Sequence, residues 1–126
     1  MAKTTAFGRK IWQPGEYTSP EVVVPVGATS CVVGFGRDAW PVRAGVPPDN
    51  EVVRCFVSMS FDDGVTWGEI AGAGCVGGDI LDSVGAVLLE SQLSFSLPDE
   101  TNSLRKLRGR MVVVERARIE ITVDIT

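Results

Sequence analysis

The sequence contains no histidine among its 126 residues. Histidine is the commonest general base and metal ligand near neutral pH, and its absence excludes the Ser–His and Cys–His pairs that activate many nucleophiles. Acidic residues come close together only along the chain, as in Asp62 with Asp63, and such spacing does not establish the separation across a cleft that a glycosidase needs. We therefore expect a protein that is not an enzyme and that needs neither a metal nor another cofactor.

Cysteine is also scarce. The three residues, Cys31, Cys55 and Cys75, are odd in number and lack C-x-x-C spacing, which disfavours a disulfide framework and a zinc site. Cys31 and Cys55 lie inside apolar segments, where cysteine packs as a small hydrophobic residue. We expect both to be buried free thiols.

Long apolar runs are missing. No segment approaches the roughly 20 apolar residues that span a bilayer, and the basic N-terminus has no apolar core before Pro14, unlike a signal peptide. Fourteen glycines and seven prolines disfavour a helical bundle. These features predict a chain that is made in the cytoplasm, has no membrane partner and consists of short segments joined by turns.

Strand patterns are plentiful. Near the C-terminus Ala117, Ile119, Ile121 and Val123 alternate with charged or polar residues, as in a strand with one buried face. Similar segments separated by turn residues predict an all-β fold, an antiparallel β-sandwich or jelly roll of about eight strands. The predicted strands are residues 21–26, 30–35, 51–61, 67–71, 84–89, 93–97, 107–115 and 117–125, with long loops at 36–50 and 71–79.

The first 20 residues differ from the rest. They mix basic and large apolar side chains without a clear alternation, which is unusual for polar disorder. Such a segment either packs on its own sandwich or docks on a neighbouring molecule. We interpret residues 1–20 as an extended docking arm and residues 21–126 as the sandwich, and expect a chain without residues 2–17 to stay folded but not to assemble. The arm residues predicted to contact a partner are Phe7, Arg9, Lys10, Trp12 and Tyr17.

One motif stands out at residues 60–67, where SFDDGVTW fits the pattern S-x-D-x-G-x-T-W. It resembles the Asp-box, a β-hairpin motif of sialidase propellers and other β proteins. The resemblance implies a structural staple away from any catalytic centre, and a single copy in a short chain does not fit a propeller. In the hairpin an acidic side chain binds turn amides and glycine supplies the positive φ of the bend. The predicted hairpin residues are Ser60, Asp62, Asp63, Gly64, Thr66 and Trp67.

Two other roles for this region stay open. Asp62 and Asp63 could bind calcium, although two adjacent carboxylates lack the ligand spacing of a calcium loop. Trp67 and Trp40 could form an aromatic platform for a sugar. The second role would make the chain a carbohydrate-binding β-sandwich module.

Charge is unevenly distributed. Residues 44–100 hold ten acidic residues and one arginine, a net charge of −9, and residues 105–118 have a net charge of +5. Such a dipolar surface favours head-to-tail contacts between copies. The overall charge of −4 counts against nucleic-acid binding. The basic residues predicted to face an acidic partner are Arg108, Arg110, Arg116 and Arg118, with solvated edge residues as the alternative. Whether the chain turns or bulges at residues 115–117 stays open.

The order of features has a wider resemblance. An N-terminal arm precedes EVVVPVGATSCVVGF, the hairpin, LPDETNSLRKLRGRMVVV and a final strand. This order is similar to that of small jelly-roll proteins of tailed-phage virions, such as capsid decoration proteins and tail or fibre modules. The resemblance implies a homo-oligomeric structural protein of the virion that binds its own copies and a major capsid or tail protein.

Overall fold

The protein is described here by a computed structural model that covers residues 2–36, 51–76, 79–82, 84–85, 92–98 and 104–126. Every regular element among these residues is a β-strand, and all the pairings are antiparallel. The prediction of an all-β sandwich is confirmed, with ten strands where about eight were expected, whereas the jelly-roll connectivity stays a prediction. The strands are β1 (Ala2–Trp12), β2 (Gly15–Thr18), β3 (Val22–Val23), β4 (Ser30–Phe35), β5 (Glu51–Ser60), β6 (Gly68–Val76), β7 (Asp79–Asp82), β8 (Gln92–Ser96), β9 (Lys106–Val113) and β10 (Ala117–Ile125).

The strands form two sheets. The four-stranded sheet has the order β1-β10-β4-β8, and the six-stranded sheet has the order β2-β9-β5-β6-β7, with β3 also paired to β9. The strand β9 lies in the six-stranded sheet and β10 in the other, so the chain turns and changes sheet at the point left open by the sequence. The backbone amides of Val114 and Glu115 both donate to the Val52 carbonyl at this turn, at 2.8 and 3.2 Å.

The core lies between the two sheets. Along β10 and β9 every second residue is buried, because alternate side chains point to opposite faces of a strand. Burial of these apolar side chains is the main stabilising contribution to such a fold. Largely enclosed core residues include Cys31, Val33, Val53, Cys55, Met59, Leu107, Met111, Ile119 and Ile121.

The structure corrects the expectation of a separate N-terminal arm. The strand β1 pairs with β10 along its length, and β2 pairs with β9. Two register shifts interrupt β1, between Thr5 and Phe7 and between Phe7 and Lys10. Because a bulge adds a residue to one strand, it breaks the period-2 pattern that sequence analysis relies on. Residues 2–18 therefore contribute two strands to the sandwich, and removal of residues 2–17 is expected to unfold the chain.

A second correction concerns the predicted loop at 71–79. Residues 71–76 continue β6 and residue 79 begins β7, while residues 77–78 lie outside the described residues. Glycine and alanine have low strand propensity, but β6 is held between β5 and β7 on both sides. Of the predicted strand at 84–89, residues 84 and 85 form a turn and the rest lie outside the described part, as do loop residues 37–50.

Candidate functional site

The 60–67 hairpin joins β5 to β6. The Oγ atom of Ser60, which is fully buried, donates to Asp62 Oδ1 at 2.7 Å and accepts from the Gly64 amide at 2.8 Å. The Asp62 carboxylate accepts from the Thr66 amide at 2.8 Å and from its hydroxyl at 2.5 Å. Trp67 Nε1 donates to the Gly64 carbonyl at 3.0 Å. The motif residues thus bind one another and fix the turn.

The two acidic residues of the hairpin have different partners. Hydrogen bonds from Thr66, then from Ser60, lower the pKa of Asp62 to about 2. Asp63, which adopts a left-handed conformation with φ of 61°, places Oδ1 3.0 Å from Lys106 Nζ. Within the described ranges no cluster of three or more His, Cys, Asp or Glu side chains could hold a metal ion. The contacts of the hairpin are those of a structural turn.

A row of basic side chains, Lys106, Arg108 and Arg110, lies on the outer face of the six-stranded sheet. They alternate along β9 with buried residues. Because β9 lies between β2 and β5, it is not an edge strand, and the alternative of edge arginines is wrong for Arg108 and Arg110. This basic row crosses the middle of the sheet.

Each member of the basic row has partners within the chain. The Arg108 guanidinium lies 4.2 Å from the centroid of the Trp67 ring, and that of Arg110 lies 4.5 Å from the Phe56 ring. Arg110 also contacts Glu16 at 3.1 Å and Glu69 at 3.8 Å. Such stacked and paired guanidinium groups are held in place. The basic row therefore has a structural role on this face.

These contacts bear on the predicted sugar platform. One face of the Trp67 indole is covered by Arg108, and its N–H is used by the Gly64 carbonyl. Trp40 lies outside the described residues. The described contacts of Trp67 do not favour a role in stacking on a sugar.

The aromatic residues predicted for the arm pack on one another. Trp12 makes edge contacts with Phe7 and Tyr17, at centroid distances of 5.7 and 4.8 Å, and Lys10 Nζ lies 4.2 Å from the centroid of the Trp12 ring. Phe7 is only 3% exposed, so it is not accessible to a partner, contrary to the prediction. On β1 the residues Arg9, Lys10 and Ile11 are exposed.

The remaining predicted arginines lie elsewhere. Arg118 is exposed on β10, at the register position of Ile11, and Arg116 is exposed just before that strand. Since β10 belongs to the four-stranded sheet, the predicted basic residues do not form a single surface. Arg108 and Arg110 share the six-stranded sheet, whereas Arg118 belongs to the opposite layer.

A groove follows β6 on the outer face of the six-stranded sheet and has a volume of about 610 Å³. Its floor includes Gly72 and Gly74. Its walls are side chains of the flanking strands β5 and β7 and of the start of β6. Sequence analysis missed the groove because it assigned residues 71–79 to a loop, and the signal was the alternation of alanine and glycine. The wall residues include Arg54, Phe56, Glu69, Ile70, Leu81 and Asp82.

Sequence analysis also missed a buried arginine. Arg105 is fully buried, and its Nη1 donates to the carbonyls of Ala28 and Pro98 at 3.2 and 2.9 Å. Its Nη2 donates to the Pro25 carbonyl at 3.0 Å. The guanidinium therefore joins the segment after β3 to the segment after β8, a structural role that its place in a basic run does not indicate.

The two described thiols are poorly suited to chemistry. Burial raises the pKa of Cys55 to about 12, and burial followed by the nearby Asp124 charge raises that of Cys31 to about 12. Both are free and buried, as expected. Because the thiolate is the nucleophile, burial and the raised pKa disfavour reaction of either thiol at neutral pH.

Comparison of the chain with models of protein families, with curated proteins and with solved structures found no match. The described part of the chain holds no helix long and apolar enough to cross a membrane.

Proposed function

We propose that this chain is a structural protein that self-associates and binds to a larger assembly, and that the edge strand β1 is its contact. The observation that carries the proposal is the position of β1. This strand has 11 residues and ends the four-stranded sheet, and in the described part of the chain only β10 pairs with it. An edge strand offers backbone donors and acceptors to a strand of another molecule.

The side chains of β1 suit a protein partner. Ile11 is 42% exposed, and Arg9 and Lys10 beside it are exposed and basic. The bulges and charges limit indiscriminate pairing, since both are devices that protect sheet edges from aggregation. An acidic partner strand would meet these charges favourably.

The chain itself carries a suitable acidic surface. Glu69 and Asp82 lie on β6 and β7, at the end of the six-stranded sheet opposite β2. The strand β1 lies near the β2 end, because Phe7 packs against Gly109 on the neighbouring strand β9. Arg9 and Lys10 thus lie towards one side of the sandwich, and Glu69 and Asp82 lie towards the other, which supports head-to-tail association. Electrostatic complementarity of this kind orients encounter and fixes register.

A non-catalytic role is supported by the state of the described reactive groups. The thiols of Cys31 and Cys55 are buried, and the Asp62 carboxylate is held by Ser60 and Thr66. The virion setting, with a major capsid or tail protein as partner and assembly in a host cytoplasm, rests on the order of sequence features alone. The carbohydrate-binding alternative based on Trp40 and Trp67 has less support, because Trp67 is covered by Arg108.

Sedimentation velocity of the full chain at increasing concentration tests the proposal. We expect discrete oligomers that dissociate at high salt, because screening weakens contacts between exposed charges. Arg9→Glu should shift the wild-type distribution towards monomer, and adding Glu69→Arg on β6 should restore the oligomers, because the exchanged charges attract each other again. A wild-type chain that stays monomeric at all concentrations, or a double variant that stays as dissociated as Arg9→Glu, would contradict the proposal.

A further inference from the structure

The groove along β6 has the dimensions of a small-ligand site. The side chains of β5 and β7 that flank it are separated by two strand spacings, roughly 10 Å. Its volume of about 610 Å³ lies within the range of roughly 300–1,000 Å³ of small-molecule sites. A groove of this size accommodates one or two six-membered rings.

The floor of the groove is bare for a structural reason. A β-carbon at Gly72 would lie 3.2 Å from Cδ1 of Phe56, and one at Gly74 would lie 3.0 Å from the Val53 carbonyl oxygen. Side chains at these two positions would therefore crowd β5 as well as fill the groove. Packing against β5 thus keeps the floor open, and a ligand can approach the backbone closely.

The backbone of the floor narrows the class of ligand. The strand β6 pairs with β5 from Gly68 to Val76 but with β7 only from Ala73 to Val76, so around Gly74 its peptide groups are used on both sides. An extended peptide, which binds mainly through backbone pairing, finds no free edge on that part of the floor. Recognition there comes from side chains and from contact with the floor.

The walls combine apolar surface with hydrogen-bond donors and acceptors. Leu81 and the Phe56 ring, on which Arg110 stacks at 4.5 Å, supply C–H surface. Arg54 carries donors and Glu69 carries acceptors. Asp82 Oδ1 already accepts from the Val84 amide at 3.0 Å. Arg110 lies 3.8 Å from Glu69, and Arg54 lines the same groove. The groove therefore presents charged groups of both signs, which suit hydroxyl groups that donate and accept.

From this arrangement we propose that the groove along β6 binds a neutral saccharide of one or two rings. A sugar has apolar C–H faces that contact Phe56, Leu81 and the glycine floor, and adjacent hydroxyls that donate to carboxylates and accept from a guanidinium. Trp67 is not among the residues that line this site. Glu69 and Asp82 also belong to the acidic surface proposed for association. The titration measures saccharide binding and the sedimentation measures oligomers, so either proposal can fail without the other.

The test is a titration of the ¹⁵N-labelled full chain, followed by two-dimensional NMR. The neutral probes are methyl glucoside, methyl galactoside, methyl mannoside, N-acetylglucosamine, lactose and cellobiose, at up to about 50 mM, which saturates a site of millimolar affinity. Glucuronic acid and glucosamine serve as charged probes. We expect saturable shifts for at least one neutral probe, confined to the amides of residues 54–56, 69–74 and 81–82.

Matched variants assign the effect to the groove. Glu69→Gln and Arg54→Leu should each weaken binding about fivefold, the effect of one lost hydrogen bond. The controls Glu120→Gln and Arg118→Leu, on the other sheet, should leave the affinity unchanged. Three results would overturn the proposal: no shifts with any neutral probe, shifts with the charged probes alone, or shifts outside the groove. The wild-type titration distinguishes these results even if a variant does not fold.

Discussion

Phe7 of β1 packs directly against Gly109 of β9, where a β-carbon on the glycine would lie 3.2 Å from Phe7 Cε2. The contact joins the two sheets. Ser19, which follows β2, also binds Gly109. Its amide donates to the Gly109 carbonyl at 2.8 Å, and its hydroxyl accepts from the Gly109 amide at 2.7 Å. The N-terminal residues are thus part of the core.

The first prediction follows from this contact. Phe7→Ala should lower the free energy of unfolding by about 3–5 kcal/mol, the usual cost of removing a buried phenylalanine side chain. Ile11→Ala on the same strand should cost much less, because Ile11 is 42% exposed. Urea unfolding followed by fluorescence measures both. Equal stability of wild type and Phe7→Ala would mean that β1 is a detachable arm after all.

The strands that could be predicted from the sequence are those with an unbroken alternation. The strand β4 has the predicted bounds, and β10 buries the residues that the pattern assigned to the core. In both strands outward and buried side chains alternate, so the period of the sequence matches the period of the strand. Local sequence determined these elements.

The strands that could not be predicted deviate from this period. The bulges of β1 shift the alternation at Phe7, and β6 carries glycine at two outward positions, 72 and 74. The strand β1 pairs with β10, which is distant in sequence, and β6 is held between β5 and β7. These strands form because of tertiary contacts, which local strand propensity does not predict.

The second prediction concerns the bend of the hairpin. Gly64 has φ of 89°, so Gly64→Ala should destabilise the chain by about 1–2 kcal/mol, the cost of a left-handed conformation for a residue with a β-carbon. Gly68→Ala is the matched control, because a β-carbon at Gly68 would meet no atom within 4 Å and the residue begins a strand. Thermal unfolding compares the two. A larger loss for Gly68→Ala would contradict the described turn.

The third prediction is a pH dependence. The pKa of Asp62 is about 2 in the folded chain, below its ordinary value of 3.8, because Thr66 and Ser60 stabilise the carboxylate. A lowered pKa contributes stability that is complete above the unfolded-state value and is lost as the pH falls towards 2. Wild type should be more stable than Asp62→Asn at pH 7, and the difference should shrink between pH 4 and pH 2. Chemical unfolding at several pH values measures it, and a constant difference would contradict the prediction.

The fourth prediction concerns Arg105. A lysine at this position keeps the charge but cannot reach the carbonyls of Pro25, Ala28 and Pro98 together. Arg105→Lys should therefore cost about 3 kcal/mol or more, since a hydrogen bond to a charged group contributes roughly 1.5–3 kcal/mol. The exposed Arg116→Lys should change stability by less than about 0.5 kcal/mol. Urea unfolding measures the loss of stability in both variants. Similar losses would show that the buried hydrogen bonds of Arg105 contribute little.

The candidate sites were predictable to different degrees. The hairpin follows from a motif of eight residues, and the hydrogen bonds that join Ser60, Asp62 and Thr66 are local, so these three residues could be paired from the sequence. The run from 105 to 118 could not be resolved in this way. Its first arginine is buried, while Arg108 and Arg110 lie on a central strand. Only the strand order distinguishes these environments.

Hydrogen exchange of the full chain at low and high protein concentration tests association through β1 most directly. The proposed contact predicts that amides of residues 2–12 exchange more slowly at high concentration, while those of β10, already paired on both sides, do not change. The slowing should be lost in Arg9→Glu. Exchange in β1 that is independent of concentration while oligomers form would contradict the proposed contact.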